Sequence, residues 1–178
     1  MLDGGDICGW LAWQVGKRSL IKVQGVQKMT KIDKDLFDDF IQAQGTIYSQ
    51  VIEELTQGRK RTHWMWFIFP QVKGLGHSKM SRRFAIESLE QAKAYLQHEV
   101  LGARLLECAE LLLLHPDKSA LDVFGSPDHL KLQSSLTLFT FAAGNKCVFE
   151  QLLYQFYAGS YDTNIITMLK QINNQQYK

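Results

Sequence analysis

Cysteine is scarce in this sequence, and its few residues are far apart. Cys8, Cys108 and Cys147 are the three cysteines of a 178-residue chain, and no two of them have the CxxC spacing of a metal clip. So few scattered thiols exclude a small disulfide-stapled secreted domain and are typical of a reducing compartment. We therefore expect a cytoplasmic protein.

Long apolar runs are also missing. The longest uninterrupted stretches, such as Leu111 to Leu114, are much shorter than the ~20 residues that a membrane-spanning helix needs. The early run "ICGWLAWQVG" is weakly similar to a signal-peptide core, but Asp3 and Asp6 precede it and no small-x-small cleavage site follows. We expect no membrane partner. We expect residues 1–28 to be a peripheral extension, either not native or disordered, and residues 29–178 to form one helical domain.

The common cofactor and metal motifs do not occur. The sequence contains no GxxxxGK[ST], no GxSxG and no GxGxxG after a predicted strand. Its five histidines show neither HExxH nor any other paired-ligand spacing. We therefore expect no metal and no cofactor, and the sequence leaves open whether the protein is an enzyme.

Charge is nearly balanced overall but unevenly distributed. Lysine and arginine number 20 against 18 acids, a formal net charge of +2, which does not indicate a nucleic-acid-binding protein by bulk charge. Between Glu54 and Glu87, however, there is no acidic residue at all. The cations inside this acid-free segment are Arg59, Lys60, Arg61, Lys73, Lys79, Arg82 and Arg83.

Apolar spacing predicts helices along the chain. From Leu36 to Leu55 the apolar residues recur at the i, i+3, i+4, i+7 positions of one long amphipathic helix, which Gly58 ends. Further helices are predicted after caps at Ser88 with Gln91, at Ser119, at Ser126 before Pro127 and Asp128, and at Asp162. No clean period-two strand is present. The expected fold class is all-α: a compact single-domain multihelical bundle of about seven to eight helices.

A basic and aromatic segment, "GRKRTHWMWFIFPQ" from Gly58 to Gln71, is the first candidate site. Cations suit phosphates or carboxylates, and indole faces suit a planar ring. His63 has a side chain that exchanges a proton near neutral pH. The alternatives are a purely structural role for Trp64 and Trp66 as core, and a solvated helix end for the cations.

A second segment, "FGSPDHLKLQSSLTLF" from Phe124 to Phe139, is the other candidate. On a helix, Lys131 shares a face with Ser134 and Ser135, and Asp128 lies one turn earlier. Such a group can hold an oxyanion, or at the extreme let the lysine activate a serine. The structural alternative is an i, i+3 ion pair between Asp128 and Lys131, with the serines permitting close helix packing.

These two segments, with "GLG" at Gly74 to Gly76 and "LGARL" at Leu101 to Leu105, resemble a bacterial family known as domain of unknown function 1810. The similarity extends essentially from Leu36 to Leu169, and it implies a compact multihelical bundle with no established activity. Phe84 and Ala85 stand where the family usually has Tyr-Gly. The label calpastatin-like, sometimes given to its members, finds no support in a chain that lacks Pro-rich disordered character.

We interpret the two segments as the walls of one pocket for an anionic, phosphate-bearing, nucleotide-like small molecule, with hydrolase or transferase activity as an extension. Proton transfer is assigned to His63 and Asp128. The other residues expected to bind the ligand are Arg59, Arg61, Trp64, Trp66, Gln71, Lys131, Ser134 and Ser135. Two alternatives are a nucleic-acid-binding module that uses the Arg59 to Arg83 face, and a protein-interaction module with exposed tryptophans. The oligomeric state is not predicted.

Overall fold

Helices make up the architecture of the part of the chain that the computed structural model describes, residues 31–144 and 147–176. Within these ranges there are ten helices and no strand, and the only β-type pairing is an isolated bridge between Val72 and Ile86. The all-α prediction is confirmed, and the seven helices of nine or more residues agree with the expected number. The helices are α1 Lys31–Gly45, α2 Tyr48–Thr56, α3 Met65–Ile68, α4 Lys79–Arg83, α5 Leu89–Gln97, α6 Leu101–Leu113, α7 Ala120–Phe124, α8 Asp128–Ala143, α9 Val148–Tyr157 and α10 Thr163–Gln176.

Residues 1–28, expected to be a peripheral extension, lie outside the described residues. The division of the chain at residue 28 therefore stays a prediction. No helix in the described ranges is long and apolar enough to cross a membrane.

Helix α8 is the central element, and it packs against α5, α7, α9 and α10. From Ser134 to Thr140 every residue is buried, so this helix has no solvent-facing stripe in that stretch. Its two buried threonines are tolerated because their hydroxyls bond within the helix: Thr137 donates to the Gln133 carbonyl and Thr140 to the Leu136 carbonyl, both at 2.8 Å. A helix that is buried all round can therefore still carry threonine.

The long first helix predicted from Leu36 to Leu55 is wrong as a single element. The chain leaves helical geometry after Gly45 and resumes it at Tyr48, which gives α1 and α2. Glycine disfavours a helix interior. The break also lets Gln44, 1% exposed, donate to the Phe67 carbonyl at 2.6 Å and to the Tyr95 hydroxyl at 3.0 Å. The spacing of apolar residues along the chain gives no information on such a tertiary hydrogen bond.

The predicted caps were mostly correct. Ser88 accepts from the Gln91 N–H, Ser119 forms a reciprocal capping box with Asp122, and Asp162 accepts from the Asn164 N–H. Ser126 as a cap is wrong, because α8 begins at Asp128 after a cis Ser126–Pro127 peptide and has no side-chain cap. The Gly125 carbonyl instead accepts from the His129 N–H at 3.0 Å.

Helix α2 ends at Thr56, two residues before Gly58, the predicted terminator, which has φ +61°. The Gly58 N–H donates to the Leu55 carbonyl and the Arg59 N–H to the Glu54 carbonyl, both at 2.9 Å, which is the Schellman pattern. A Cβ at Gly58 would lie 2.6 Å from Lys118 Nζ, which donates to the Gly58 carbonyl. The positive φ favours glycine at this position, and a Cβ would in addition require the Lys118 ammonium to move.

The buried carboxylate of Glu54, on the last turn of α2, fixes the turn that follows. It accepts from the Arg61 N–H at 2.7 Å, the Thr62 N–H at 3.1 Å, the Thr62 hydroxyl at 2.7 Å and the Trp64 indole N–H at 2.8 Å. Burial alone would raise the pKa of Glu54, but these hydrogen bonds outweigh it and hold the pKa below its usual value. One ionised side chain thus holds the backbone at Arg61 and Thr62 and the indole of Trp64.

Replacing Glu54 by Gln should lower the free energy of unfolding by about 1–3 kcal/mol at pH 7, because the amide nitrogen would face N–H donors. The folded pKa of Glu54 is lowered, so its contribution is present above the unfolded value of about 4.3 and is lost as pH falls through the folded pKa. Urea unfolding at pH 7 and pH 3 measures this contribution. The difference in the free energy of unfolding between the wild type and Glu54→Gln should be smaller at pH 3 than at pH 7.

The exposed neighbour Glu53 provides the control for this measurement. Glu53→Gln should change the free energy of unfolding by less than about 0.5 kcal/mol. Equal costs for the two substitutions, or a gap that widens in acid, would contradict the organising role of Glu54.

Candidate functional site

The two segments singled out in the sequence meet at the start of α8. The Lys60 N–H donates to the Val123 carbonyl at 2.7 Å, which pins the basic turn against the end of α7. The Asp128 carboxylate then pairs with Lys60 Nζ at 2.7 Å through one oxygen and with Lys131 Nζ at 2.6 Å through the other. We call these three residues, Lys60, Asp128 and Lys131, the Lys–Asp–Lys cluster.

Lys60 is the more enclosed of the two lysines. Its side chain is 8% exposed, donates to the Thr62 carbonyl at 2.7 Å and lies 5.2 Å from the centre of the Trp64 ring system. An ammonium over an indole face is attracted by the ring's quadrupole. Of the three consecutive cations, therefore, the middle one is directed inward.

Lys131 lies at the edge of the cluster, with 23% of its side chain exposed. Its ammonium is 4.8 Å from the ring centre of Trp66, which is partly buried against the core. The predicted i, i+3 pair of Asp128 and Lys131 is thus present, but it is part of a larger arrangement with Lys60.

Asp128 is ionised in this arrangement. Burial would raise its pKa, but hydrogen bonds from Lys131 and Lys60, with the attraction of their charges, hold the pKa below its usual value. One carboxylate between two ammonium groups leaves the cluster with a formal charge of +1.

The remaining residues of the basic and aromatic segment lie elsewhere. Arg59, Arg61 and His63 are exposed, and Trp64 is fully buried in contact with Phe124 at a ring-centre distance of 6.1 Å. Trp64 is therefore part of the core, which is the structural alternative given for it. The faces of its indole ring are not available to a ligand in this structure.

Gln71 is partly buried beside the Val72–Ile86 bridge, where its carbonyl accepts from the Ile86 N–H at 2.8 Å. Within the described residues, no hydrogen bond joins its side chain to the cluster. Its assignment to ligand binding stays a prediction.

Among the described residues, neither serine of α8 forms a hydrogen bond with Lys131. Ser134 donates to the Asp162 carboxylate at 2.5 Å and so ties α8 to the start of α10. Ser135 is fully buried, and its hydroxyl has no hydrogen-bond partner in the structure. The Lys131 ammonium is engaged with Asp128 and Trp66, so the arrangement needed for a lysine-activated serine is not formed.

Ion pairs cancel part of the charge asymmetry of the acid-free segment. Lys73 pairs with Glu87 at 2.6 Å, and Arg83 forms a two-bond fork with Asp39. With Lys60 bound to Asp128, three of the seven cations have acidic partners from outside the segment. The basic face inferred from the sequence is therefore less continuous in space.

Surface cavities occur at the other end of α8. One of about 430 Å³ lies between α5, α6 and the start of α9, and one of about 200 Å³ lies beside Phe141 and Tyr161. Neither cavity is lined by Lys60, Asp128 or Lys131. The Lys–Asp–Lys cluster lies at the edge of the protein surface. Across the described ranges, no group of three or more His, Cys, Asp or Glu side chains is placed to hold a metal ion.

Sequence reasoning missed two residues that matter here. Lys60 is not among the residues that the sequence predicts to bind the ligand, although alternation in an extended stretch places a middle residue opposite its two neighbours. Glu54 stands out in the sequence only as a boundary of the acid-free segment. Glu54 lies in the last turn of a helix, where the helix dipole disfavours an acid. An acid in such a position indicates that it has other partners.

The fold and the site together define an all-α protein in which a basic turn is held against the first turn of a central helix by a shared aspartate. The chain belongs to the family described as Protein of unknown function (DUF1810), whose profile matches residues 34–169. This confirms the resemblance seen in the sequence.

Among solved structures, the chain is similar to the conserved hypothetical protein Rv1873 from Mycobacterium tuberculosis. The two share 48% sequence identity with a TM-score of 0.74, over 76% of this chain and 96% of that one. A search of curated proteins found no match.

The two lysines of the cluster should differ in their effect on stability. Lys60→Gln breaks the more buried ion pair and should lower the free energy of unfolding by about 1–3 kcal/mol. Lys131→Gln breaks a more exposed i, i+3 pair and should cost less than about 1 kcal/mol. Urea unfolding of both variants measures the two losses in the free energy of unfolding, with Lys73→Gln as the control for an exposed ion pair. Equal losses at positions 60 and 131 would contradict this prediction.

Proposed function

We propose that this protein binds a phosphate-bearing small molecule at the Lys–Asp–Lys cluster. The observation that carries the proposal is the sharing of one carboxylate between two lysines, which leaves a net positive charge at a partly enclosed position. Coulomb attraction to an anion is stronger there than in bulk water because the surrounding side chains lower the effective dielectric.

Unused hydrogen-bond donors support the same conclusion. An ammonium group carries three N–H donors. Among the described residues, Lys60 Nζ donates to Asp128 and Thr62, and Lys131 Nζ donates only to Asp128. Because Lys131 is also the more exposed lysine, its remaining N–H groups are the ones that an incoming phosphate oxygen can reach.

Aromatic contact with the ligand would come from Trp66, since Trp64 is fully buried. One face of Trp66 already contacts Lys131, so a ring on the ligand would pack against the exposed part of the indole. The phosphate is thus the part of a nucleotide-like ligand that the cluster supports most directly. Arg59 and Arg61, exposed on either side of Lys60 in the chain, would add longer-range attraction.

The proposal concerns binding more than catalysis. A carboxyl group whose pKa is lowered holds a proton poorly, so Asp128 is badly suited to act as a general acid at neutral pH. Proton transfer by His63, with hydrolase or transferase chemistry, remains an extension of the proposal.

The distribution of ion pairs favours a small anion over nucleic acid. A nucleic-acid interface needs a continuous row of free cations. Three cations of the acid-free segment are paired, and Arg59, Arg61, Lys79 and Arg82 are the exposed ones left. A protein-interaction role with exposed tryptophans has less support, because Trp64 is buried and Trp66 partly so.

Titration with simple phosphate monoesters and with mononucleotides tests the proposal. Phenyl phosphate and at least one mononucleotide should raise the melting temperature of the wild type and shift amide resonances near Lys131. Lys131→Gln should weaken binding by about tenfold or more, because a charge-assisted contact to phosphate is lost.

Lys93→Gln is the matched control for this titration. Lys93 is exposed and lines the cavity beside Ala142 and Ala143, at the far end of α8 from the cluster. This variant should bind phenyl phosphate as the wild type does. The proposal would be contradicted if the wild type did not bind phenyl phosphate, or if Lys131→Gln and Lys93→Gln lost the same amount of affinity for it.

A further inference from the structure

We infer that His98 is a proton-sensitive helix cap, which holds the joint between α5 and α6 at neutral pH and releases it in mild acid. His98 directly follows the last residue of α5 and precedes the start of α6 by three residues. Its ring nitrogen Nδ1 accepts from the Val100 N–H at 3.2 Å and from the Leu101 N–H at 3.3 Å. The ring thus satisfies N–H groups at the start of α6, a role that asparagine or serine usually has.

The joint that His98 closes is tightly packed. The His98 carbonyl accepts from the Gly102 N–H at 2.9 Å, as the carbonyl of a capping residue does. A Cβ at Gly102 would lie 2.0 Å from the Leu96 carbonyl oxygen, so the first turn of α6 rests directly on the last turn of α5. The imidazole also makes a T-shaped contact with Phe37 of α1, with ring centres 5.8 Å apart. One side chain therefore connects three helices.

Only the neutral imidazole can act as this cap. A ring nitrogen that accepts hydrogen bonds carries no proton, so the single hydrogen of the neutral ring is on Nε2. Protonation would place an N–H on Nδ1, facing the backbone N–H groups of Val100 and Leu101. Both hydrogen bonds would be lost. The positive charge would also lie at the N-terminus of α6, where the helix dipole disfavours a cation.

The surroundings of the ring act on its protonation in opposite directions. Burial lowers the pKa of His98, whereas the negative charges of Glu99 and of Asp38 on α1 raise it, and the net shift is downward. No other charged group among the described side chains of α1, α5 and α6 shifts this pKa. Because the folded pKa is below the unfolded value of about 6.5, the stabilisation by His98 is present above that value. It is lost as the pH falls from about 6.5 through the folded pKa.

His115, beyond the other end of α6, provides a comparison within the same chain. Its Nε2 lies 2.8 Å from the Leu55 carbonyl oxygen and therefore donates to it. A protonated ring keeps this N–H, so the hydrogen bond persists in acid. A positive charge near the C-terminus of a helix is also favourable. Acid should therefore weaken the start of α6 and leave its end intact.

An NMR titration from pH 7.5 to pH 5.0 tests the inference. In the wild type, the amide signals of Val100 and Leu101 should move with the same midpoint as the ring of His98. Their protection against hydrogen exchange, corrected for the intrinsic rate, should fall by about fivefold because a helix cap is lost. His98→Asn places an amide oxygen at the position of Nδ1, and this oxygen does not titrate. The variant should keep the protection of both amides in acid.

Two further variants complete the experiment. His98→Phe keeps a ring against Phe37 but has no acceptor, so both amides should have low protection at pH 7.5 and lose no more in acid. His115→Gln is the matched control, because it removes a histidine outside the cap. This variant should retain the acid dependence of the wild type. Circular dichroism at pH 7.5 shows whether each variant is folded, and His98→Asn remains decisive if His98→Phe is not.

Several results would overturn the inference. They are amides of Val100 and Leu101 that do not follow the His98 ring, a ring that does not titrate between pH 7.5 and pH 5.0, and a loss of protection in His98→Asn equal to that of the wild type. A hydrogen on Nδ1 at pH 7.5, seen in a long-range ¹H–¹⁵N spectrum, would also contradict it. These measurements do not involve phosphate binding, so their failure would leave the proposed function as it stands.

Discussion

The structure around the candidate site depends on one buried carboxylate, that of Glu54. Four donors from Arg61, Thr62 and Trp64 converge on it, and they hold the chain in place as it leaves α2. This path of the chain buries the Trp64 indole and directs Lys60 toward the start of α8. Without an acceptor at this position, the N–H groups of the turn would be left unsatisfied next to the core, which is costly.

A second shared carboxylate, that of Asp128, completes the arrangement by joining the turn to α8. The two acids have different consequences, although both have a lowered pKa. Glu54 receives neutral donors and fixes the backbone, while Asp128 receives two ammonium groups and leaves a positive charge near the surface. The first holds the turn in place, and the second is the centre of the binding site that we propose.

Much of the fold could be predicted from the sequence, because helix periodicity, caps and glycines act locally. Gly58 lies in the turn that terminates α2, and Ser119 caps α7, both as expected. The division of the first helix at Gly45 could not be predicted in this way, since it is stabilised by Gln44 bonding to Phe67, 23 residues away. The two candidate segments do meet in the structure, but Lys60 rather than its arginine neighbours pairs with Asp128.

The sequence by itself determined the helical class and the family, because these depend on residue types and their spacing along the chain. Only the tertiary structure decided which cations have partners. Lys60, Lys73 and Arg83 each pair with an acid outside the acid-free segment, and a charge run read along the chain does not show these contacts. Ion pairing depends on distance in space, and distances between remote residues are set only when the helices pack.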